Sequence, residues 1–140
     1  MNKQYSSEDR FWLALAIWRE ARGESQECQI GVAFSILNRV EHPKWWGNTV
    51  LNVIVKKWQY SSFTDPKDPQ LTTWPTSSDA SWIQCKKVAS DVTAGLVGNP
   101  VIGADSYHDI SIKPPKWATP EMFVKQIGKI RFFNVDKEIG

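Results

Sequence analysis

Positions 11–18 of this 140-residue chain carry eight consecutive apolar side chains, and this run constrains the fold more than any other feature of the sequence. A membrane-spanning helix needs about 20 apolar residues, so the run is too short to cross a bilayer. Together with its polar flanks it predicts a helix over Glu8–Arg22. Because positions 11–18 are apolar on nearly every side, we expect this helix to be buried rather than to lie on the surface.

The two ends of this helix carry start and stop signals. Ser6 and Ser7 stand at its start, and Ser6 with Asp9 gives at best an imperfect capping box. Gly23 predicts its end, since glycine enters the left-handed C-terminal conformation without a steric penalty.

Apolar side chains at helical spacing predict three further helices: Gln26–Val40, Asn48–Lys56 and Asp79–Leu96. In the last of them, the residues expected to face inward are Trp82, Val88, Val92 and Leu96. The segment Gln59–Ser78 holds three prolines among Ser, Thr and Asp and is predicted to be a long ordered loop. Gln126–Val135 is rich in β-branched and aromatic residues and predicts a short strand or hairpin. The predicted fold class is therefore α+β, mostly helical, with a small β element near the C-terminus.

The size and composition exclude several classes of protein. Residues 1–140 have the length of a single domain, and 41% hydrophobic with 23% charged residues argue against a largely disordered chain. A net charge of +2 is too small to predict a nucleic-acid groove. Two cysteines without a CxxC motif predict neither a disulfide framework nor a zinc site, so no metal or cofactor is expected. The polar first ten residues predict synthesis in the cytoplasm without a signal peptide.

Glu20 is the residue whose position most favours a chemical role. Ile17, Ala16 and Leu13 precede it by three, four and seven positions, so its carboxylate shares an apolar face of the helix. Burial disfavours an ionised carboxylate and raises its pKa, and a carboxylic acid that stays protonated near neutral pH can act as a general acid. The alternative is a structural carboxylate that pairs with a neighbouring arginine or a backbone donor.

Glu20 also begins a series of motifs that keep one order along the chain. They are Glu20-Ala21-Arg22-Gly23-Glu24, Cys28-Gln29-Ile30-Gly31-Val32-Ala33, Ile36-Leu37-Asn38-Arg39-Val40, Gln59-Tyr60-Ser61, Ser106-Tyr107-His108, Pro115-Lys116-Trp117-Ala118, and Ile127-Gly128 with Phe132-Phe133. This series resembles the SleB/CwlJ-type cell-wall hydrolases over about residues 11–134. Four residues depart from that family's pattern, since Arg19 and Cys28 stand in place of glycine, Ile130 in place of histidine and Phe133 in place of tyrosine.

The resemblance implies a lysozyme-like, lytic-transglycosylase-like fold and the cleavage of peptidoglycan glycan strands between N-acetylmuramic acid (MurNAc) and N-acetylglucosamine (GlcNAc). It makes Glu20 the catalytic acid and base. A lytic transglycosylase manages with one carboxylate, because the tethered C6 hydroxyl of the muramic residue replaces water and leaves a 1,6-anhydro product. The predicted substrate-binding residues are Gln59, Ser61, Tyr107, His108 and Glu24, although Glu24 is favoured in a structural or orienting role over catalysis.

Three alternatives remain open from the residues alone. A hydrolytic muramidase needs a second carboxylate, and the candidates in predicted loops are Asp65, Asp68, Asp105 and Asp109. A glycan-binding or structural protein on the same fold would need no turnover. A Cys/His peptidase that uses His108 is disfavoured, because Cys28 and Cys85 lie in predicted helices where buried, inert thiols are expected.

Seven of the eight tryptophans divide by their sequence context. Core packing is expected for Trp12, Trp18, Trp82 and Trp117. For Trp45, Trp46 and Trp74, which stand in loop-like segments, stacking on a sugar ring and core packing are equally expected.

The lack of a leader and of a separate wall-binding module favours a phage endolysin, made in the host cytoplasm and released to the cell wall through a holin. A lytic domain that serves a bacterial cortex or septum is the alternative, and it differs only in biological context. The expected partner is the peptidoglycan glycan strand. No nucleic acid and no membrane anchor are expected, and the chain is expected to be a monomer.

Overall fold

The computed structural model describes residues 4–57 and 59–136. Within them the α-helices are α1 (Ser7–Ala21), α2 (Gln26–Glu41), α3 (Val50–Ile54), α4 (Ser61–Thr64) and α5 (Ala80–Thr93). The strands are β1 (Ser106–Asp109), β2 (Phe123–Ile127) and β3 (Ile130–Phe133), and 3₁₀ turns cover Pro69–Thr72 and Pro120–Met122. The predicted α+β class, mostly helical with a small sheet near the C-terminus, is confirmed.

Helix α1 forms the centre of the core, as its apolar run predicts. Residues 13–18 are all buried, and the helix packs against both α2 and α5. Ser6 caps its start, where Ser6 and Asp9 form a complete capping box, so the expectation of an imperfect one is wrong. Gly23 does not adopt the left-handed conformation that its type suggested, because the last helical turn ends at Arg22 in ordinary right-handed geometry.

Helix α5 ends three residues earlier than its sequence pattern predicts. Trp82, Val88 and Val92 are buried as expected, but Leu96 is 73% exposed, so its predicted inward position is wrong. The reason is Gly95, whose φ of 73° lets the chain reverse direction. The Leu96 amide then donates to the carbonyl of Asp91, and this Schellman motif turns the leucine away from the core.

The segment 59–78 is more regular than the predicted loop. It contains the single turn of α4 and the 3₁₀ turn Pro69–Thr72, which begins with a hydrogen bond from the Gln70 amide to the Asp68 carboxylate. Helix α3 is shorter than its predicted range of 48–56. Among the described residues, none of the helices has the length and apolar character that a membrane crossing requires.

The three strands form an antiparallel sheet in the order β1-β3-β2. The short strand or hairpin predicted in 126–135 corresponds to β3 and the end of β2, which are joined at Gly128. Strand β2 begins earlier than predicted, at Phe123, and β1 was not predicted. Phe132 of β3 is fully buried and lies against Gly31 of α2, where an added Cβ would come within 2.9 Å of the ring. This close approach fixes the sheet on the helices and brings Tyr107 of β1, the pairing partner of Phe132, to the end of α1.

Candidate active site

Glu20 lies in the last turn of α1, at a cleft of about 430 Å³. The lining of the cleft also includes Arg39, Gln59, Ser61, Asp68, Tyr107 and Trp117. One side, here called the loop wall, is built from residues 59–73. The opposite side, here called the sheet wall, is built from β1 and β3.

Each wall supplies one hydroxyl group to the Glu20 carboxylate. From the loop wall, Ser62 Oγ donates to Glu20 Oε2 at 2.5 Å. From the sheet wall, Tyr107 OH donates to Glu20 Oε1 at 2.6 Å. Both oxygens of the half-buried carboxylate are therefore held in place, and its environment is more polar than the apolar helix face suggested.

Burial is the largest influence on the pKa of the Glu20 carboxyl group, and it raises this pKa above the ordinary value. The hydrogen bonds from Ser62 and Tyr107 stabilise the ionised form and oppose this rise in pKa, while the negative charge of Asp68 adds to it. The balance favours an acid that keeps its proton to higher pH than a solvent-exposed glutamate. Burial also raises the pKa of the Tyr107 phenol, so Tyr107 stays a neutral donor.

Arg19 holds the loop wall. Its Nη1 donates to the carbonyl of Ser62 at 3.1 Å and its Nε to the carbonyl of Thr73 at 3.3 Å. The rings of Phe63 and Trp74 each lie 4.6 Å from the guanidinium carbon. The side chain is buried, and its Nη2 has no hydrogen-bond partner in the described part of the chain. The residue that replaces the family's glycine therefore anchors the segment that carries Ser62.

Core packing holds the sheet wall. Tyr107 lies between two aromatic rings, Phe132 at 5.8 Å and Tyr60 at 6.2 Å between centroids. Next to it, the buried Arg39 of α2 donates from Nε to the carbonyl of Asp105 at 2.7 Å. The strand that carries Tyr107 is thus fixed from the sheet, the core and α2 together.

Four of the five predicted substrate-binding residues line the cleft: Gln59, Ser61, Tyr107 and His108. Gln59 Oε1 accepts a hydrogen bond from Arg39 at 3.2 Å, and Ser61 Oγ donates to Asp68 at 2.7 Å. His108 is buried and stacks on Phe133, with ring centroids 5.5 Å apart. The structure brings these side chains together around Glu20, and their contact with substrate stays a prediction.

Glu24 lies apart from the residues that line the cleft. Its Oε1 accepts a hydrogen bond from the Lys129 amide at 3.3 Å, at the turn that joins β2 to β3. An added Cβ at Gly128 would come within 3.0 Å of the same oxygen. This geometry matches the orienting role favoured for Glu24, because its carboxylate ties the end of α1 to the sheet.

The four candidate second carboxylates have different surroundings. Asp68 and Asp109 line the cleft, and Asp105 is buried beside it, where it accepts hydrogen bonds from two C-terminal backbone amides. Asp65 is exposed and accepts a hydrogen bond from the Lys67 amide. Asp68 accepts from Ser61 and from a backbone amide of its own 3₁₀ turn, so both of its oxygens are engaged.

The tryptophans and cysteines follow most of their predictions. Trp18 and Trp82 are buried, and Trp12 is partly buried against the core. The expected core position of Trp117 is wrong, since the half-buried ring lines the cleft while its edge packs on His108. Cys28 and Cys85 are free and buried, and burial raises each thiol pKa to about 12, so neither supplies the thiolate that a Cys/His peptidase needs.

Three residues of the site were not predicted: Ser62, Arg39 and Arg19. Ser62 is adjacent to the predicted Ser61, and the single helical turn of α4 directs Ser62 rather than Ser61 to Glu20. Arg39 lies within a quoted motif, but its partners are 20 or more positions away in sequence. No local signal in the sequence shows these long-range contacts.

The fold and site define a class of protein: a lysozyme-like α+β domain with a glutamic acid of raised pKa, Glu20, at a cleft. Residues 23–133 match the model of the Cell Wall Hydrolase family, and the chain therefore belongs to that family. The matched segment starts three residues after Glu20.

Curated relatives include the spore cortex-lytic enzyme of Bacillus cereus, which is 32% identical over 125 residues. That alignment covers 89% of this chain and 44% of the relative. The spore cortex-lytic enzyme of Halalkalibacterium halodurans is 31% identical over 130 residues, or 93% of this chain and 36% of the relative. This chain thus spans less than half the length of these relatives.

Two solved structures share the fold. The catalytic domain of the germination-specific lytic transglycosylase SleB from Bacillus anthracis matches with a TM-score of 0.72 at 29% identity, covering 95% of this chain and 99% of that domain. The catalytic domain of the Bacillus cereus SleB protein matches with a TM-score of 0.67 at 32% identity, covering 95% and 94%. These matches cover nearly the whole chain, and they confirm the predicted fold.

Proposed function

We propose that this chain is a peptidoglycan lytic transglycosylase that cleaves the MurNAc–GlcNAc bond and leaves a 1,6-anhydromuramic end, with residues 1–140 acting as one catalytic domain. The observation that carries the proposal is the Glu20 carboxyl group, held at the cleft between Ser62 and Tyr107 with a raised pKa. The family assignment supports the same reaction class, as does the similarity to the catalytic domain of the lytic transglycosylase SleB from Bacillus anthracis.

In the first step, the protonated Glu20 donates its proton to the glycosidic oxygen, and the bond between that oxygen and muramic C1 breaks. The leaving sugar departs with a new hydroxyl group, and positive charge develops at C1 and the ring oxygen. Glu20 becomes a carboxylate at this moment, when the hydroxyl groups of Ser62 and Tyr107 stabilise it.

In the second step, the Glu20 carboxylate takes the proton of the muramic C6 hydroxyl group, and the C6 oxygen forms a bond with C1. Glu20 is protonated again, and the products contain no atom from water. One carboxylate is sufficient because the nucleophile is part of the substrate and is already close to C1. The two hydroxyl partners suit both states of Glu20, since a hydroxyl group can donate to a carboxylate or turn and accept from the acid.

Mass spectrometry of muropeptides released from purified sacculi tests this proposal. Anhydromuramic ends are expected, each lighter by one water than a reducing end. The inactive control is Glu20→Gln, which keeps the size of the side chain but cannot donate a proton as an acid. Reducing ends that incorporate ¹⁸O from labelled water would overturn the transglycosylase assignment.

A hydrolytic muramidase is the second candidate, favoured by the presence of Asp68 and Asp109 at the same cleft. In that mechanism one of them would activate water or stabilise the charge at C1. The Asp68→Asn and Asp109→Asn variants distinguish the two mechanisms. A loss of activity comparable to that of Glu20→Gln in either variant would favour the hydrolase.

We also propose that the biological role is that of a phage endolysin, made in the host cytoplasm and released by a holin. This part of the proposal rests on the sequence alone. Expression in a bacterial host with and without a co-expressed holin tests it. Lysis that requires the holin supports the endolysin role, and lysis without the holin contradicts it.

A further inference from the structure

A second cavity of about 510 Å³ lies next to the cleft that holds Glu20. The two spaces share Arg39, Gln59, Ser106 and Trp117 as lining residues, so they adjoin each other at these four side chains. Trp45 and Trp46 complete the far side of the second cavity. A strand bound at Glu20 that extends past these shared side chains would therefore reach the second cavity.

The second cavity is rich in aromatic surface. Three of the eight tryptophans of the chain line it, and Trp45 is 55% exposed although it is large and apolar. An indole ring offers a flat apolar face with a polar edge, which suits the C–H face of a pyranose ring. Trp74 is as exposed as Trp45, but it lies over Arg19 and does not line the second cavity. The position of Trp45 in this cavity, rather than its exposure alone, therefore distinguishes it.

The segment that carries Trp45 is fixed in advance of binding. The Gly47 amide donates to the carbonyl of Lys44 at 3.2 Å, and Gly47 adopts a φ of 100° with its Cα facing Asn52, where a Cβ would come within 2.6 Å. Trp46 Nε1 donates to the carbonyl of Arg39 at 2.7 Å. A preformed aromatic surface loses little entropy on binding a ligand.

The charged groups of the second cavity are already engaged. The guanidinium of Arg39 donates to the backbone carbonyl of Asp105, the side-chain oxygen of Gln59 and the hydroxyl group of Ser106, so its donors are occupied. Asp136 forms an ion pair with Lys44 at 3.0 Å. This arrangement suits a neutral ligand better than the carboxylates of a stem peptide. The position next to the cleft and the exposed indole both favour a sugar.

We infer that Trp45 forms a glycan subsite, which binds a saccharide unit of the peptidoglycan strand beyond the two sugars at the scissile bond. The inference rests on the proposed function and extends it, because it makes the enzyme prefer long strands over short ones.

The test compares the wild type with Trp45→Ala on glycan strands from which an amidase has removed the stem peptides, separated by length. On long strands, Trp45→Ala is expected to raise KM by about 2- to 10-fold with kcat unchanged. On the shortest strand that the wild type cleaves, the two proteins should be equal. Trp45→Phe should restore most of the affinity, because it keeps an aromatic face.

Phe11→Ala is the matched control, since Phe11 is an exposed aromatic residue that contacts Trp12 and Trp82 and lines neither space. It should leave KM unchanged for both lengths. Equal KM values for the wild type and Trp45→Ala on long strands would overturn the subsite. An effect that appears only when the stem peptides are present would overturn the saccharide as its occupant.

A binding measurement separates this inference from the proposed function. Calorimetry of long naked strands with Glu20→Gln and with the Glu20→Gln, Trp45→Ala double variant requires no turnover. A 2- to 10-fold weaker binding of the double variant supports the subsite even if the wild type releases no anhydromuramic product. Equal binding contradicts the subsite whatever the reaction is.

Discussion

The two walls that meet at Glu20 are stabilised in different ways. The sheet wall places Tyr107 by strand pairing with Phe132, which in turn packs on Gly31 in the core. The loop wall places Ser62 on a helix of four residues, too short to be stable alone, and a single buried arginine holds it. A change in the sheet wall should therefore cost the stability of the whole fold, whereas a change in the loop wall should mainly cost activity.

The largest expected effect is at the point where the walls meet. Glu20→Gln should lower the rate of sacculus lysis by at least about 100-fold, because it removes the general acid. A turbidity assay measures the rate, and circular dichroism should show an unchanged fold. Lysis at the wild-type rate would remove Glu20 from the mechanism.

Glu20→Gln should lower activity but raise the stability of the fold. Burial raises the pKa of Glu20 in the folded state, so stability is lost as pH rises from the unfolded-state pKa of about 4.3 through the raised folded-state pKa. Glu20→Gln is free of this loss and should melt at a higher temperature than the wild type at pH 7. Below pH 4 the difference should shrink, and a difference that grows there would contradict the sign of the shift.

In the sheet wall, Gly31→Ala should lower the free energy of unfolding by about 1–3 kcal/mol, because the added methyl group clashes with the ring of Phe132. Urea denaturation measures the change. The matched control is Gly98→Ala, since an added Cβ at Gly98 meets no atom within 4 Å. Similar losses in both variants would show that the contact with Phe132 does not fix the sheet.

Removal of either hydroxyl partner of Glu20 compares the walls directly. Ser62→Ala and Tyr107→Phe should each lower kcat by roughly tenfold, since each removes a hydrogen bond to a charged group. Both bonds favour the ionised form, so the pKa of Glu20 should rise further in each variant. The loss of activity at high pH should then begin at a higher pH than in the wild type, and a shift to lower pH would contradict the assignment.

The smallest expected effect is that of Arg19→Lys, which keeps the charge but loses the planar fork that binds Ser62 and Thr73. We expect kcat to fall by about 2- to 10-fold with KM nearly unchanged. Arg10→Lys is the control, because Arg10 donates to the carbonyl of Tyr5 and does not line the cleft. A lower free energy of unfolding with an unchanged kcat would show that Arg19 is structural only.

The sequence could predict the features that arise from local periodicity. The apolar face around Glu20 follows from helical spacing, and it is enough to place the acid at the end of a buried helix. The strand β1 could not be predicted, because Ser-Tyr-His-Asp has no strand pattern and becomes a strand only by pairing with β3.

The contacts that complete the site could not be predicted from a local sequence pattern either. The hydroxyl partners of Glu20 lie 42 and 87 positions away in sequence, and only the packing of the sheet and of α4 brings them together. The motifs follow the order of the family's pattern, and this resemblance is why Tyr107 is among the predicted residues. Ser62 was missed because one turn of helix decides which of two adjacent serines faces the acid.

A direct titration of Glu20 tests the central claim. The carboxyl carbon of Glu20 can be followed by ¹³C NMR as a function of pH, with Glu20→Gln to assign the signal. Burial of the carboxyl group predicts a midpoint above the ordinary glutamate value of about 4.3, so that the acid keeps its proton to higher pH than an exposed glutamate. A midpoint at or below that value would contradict the proposed acid.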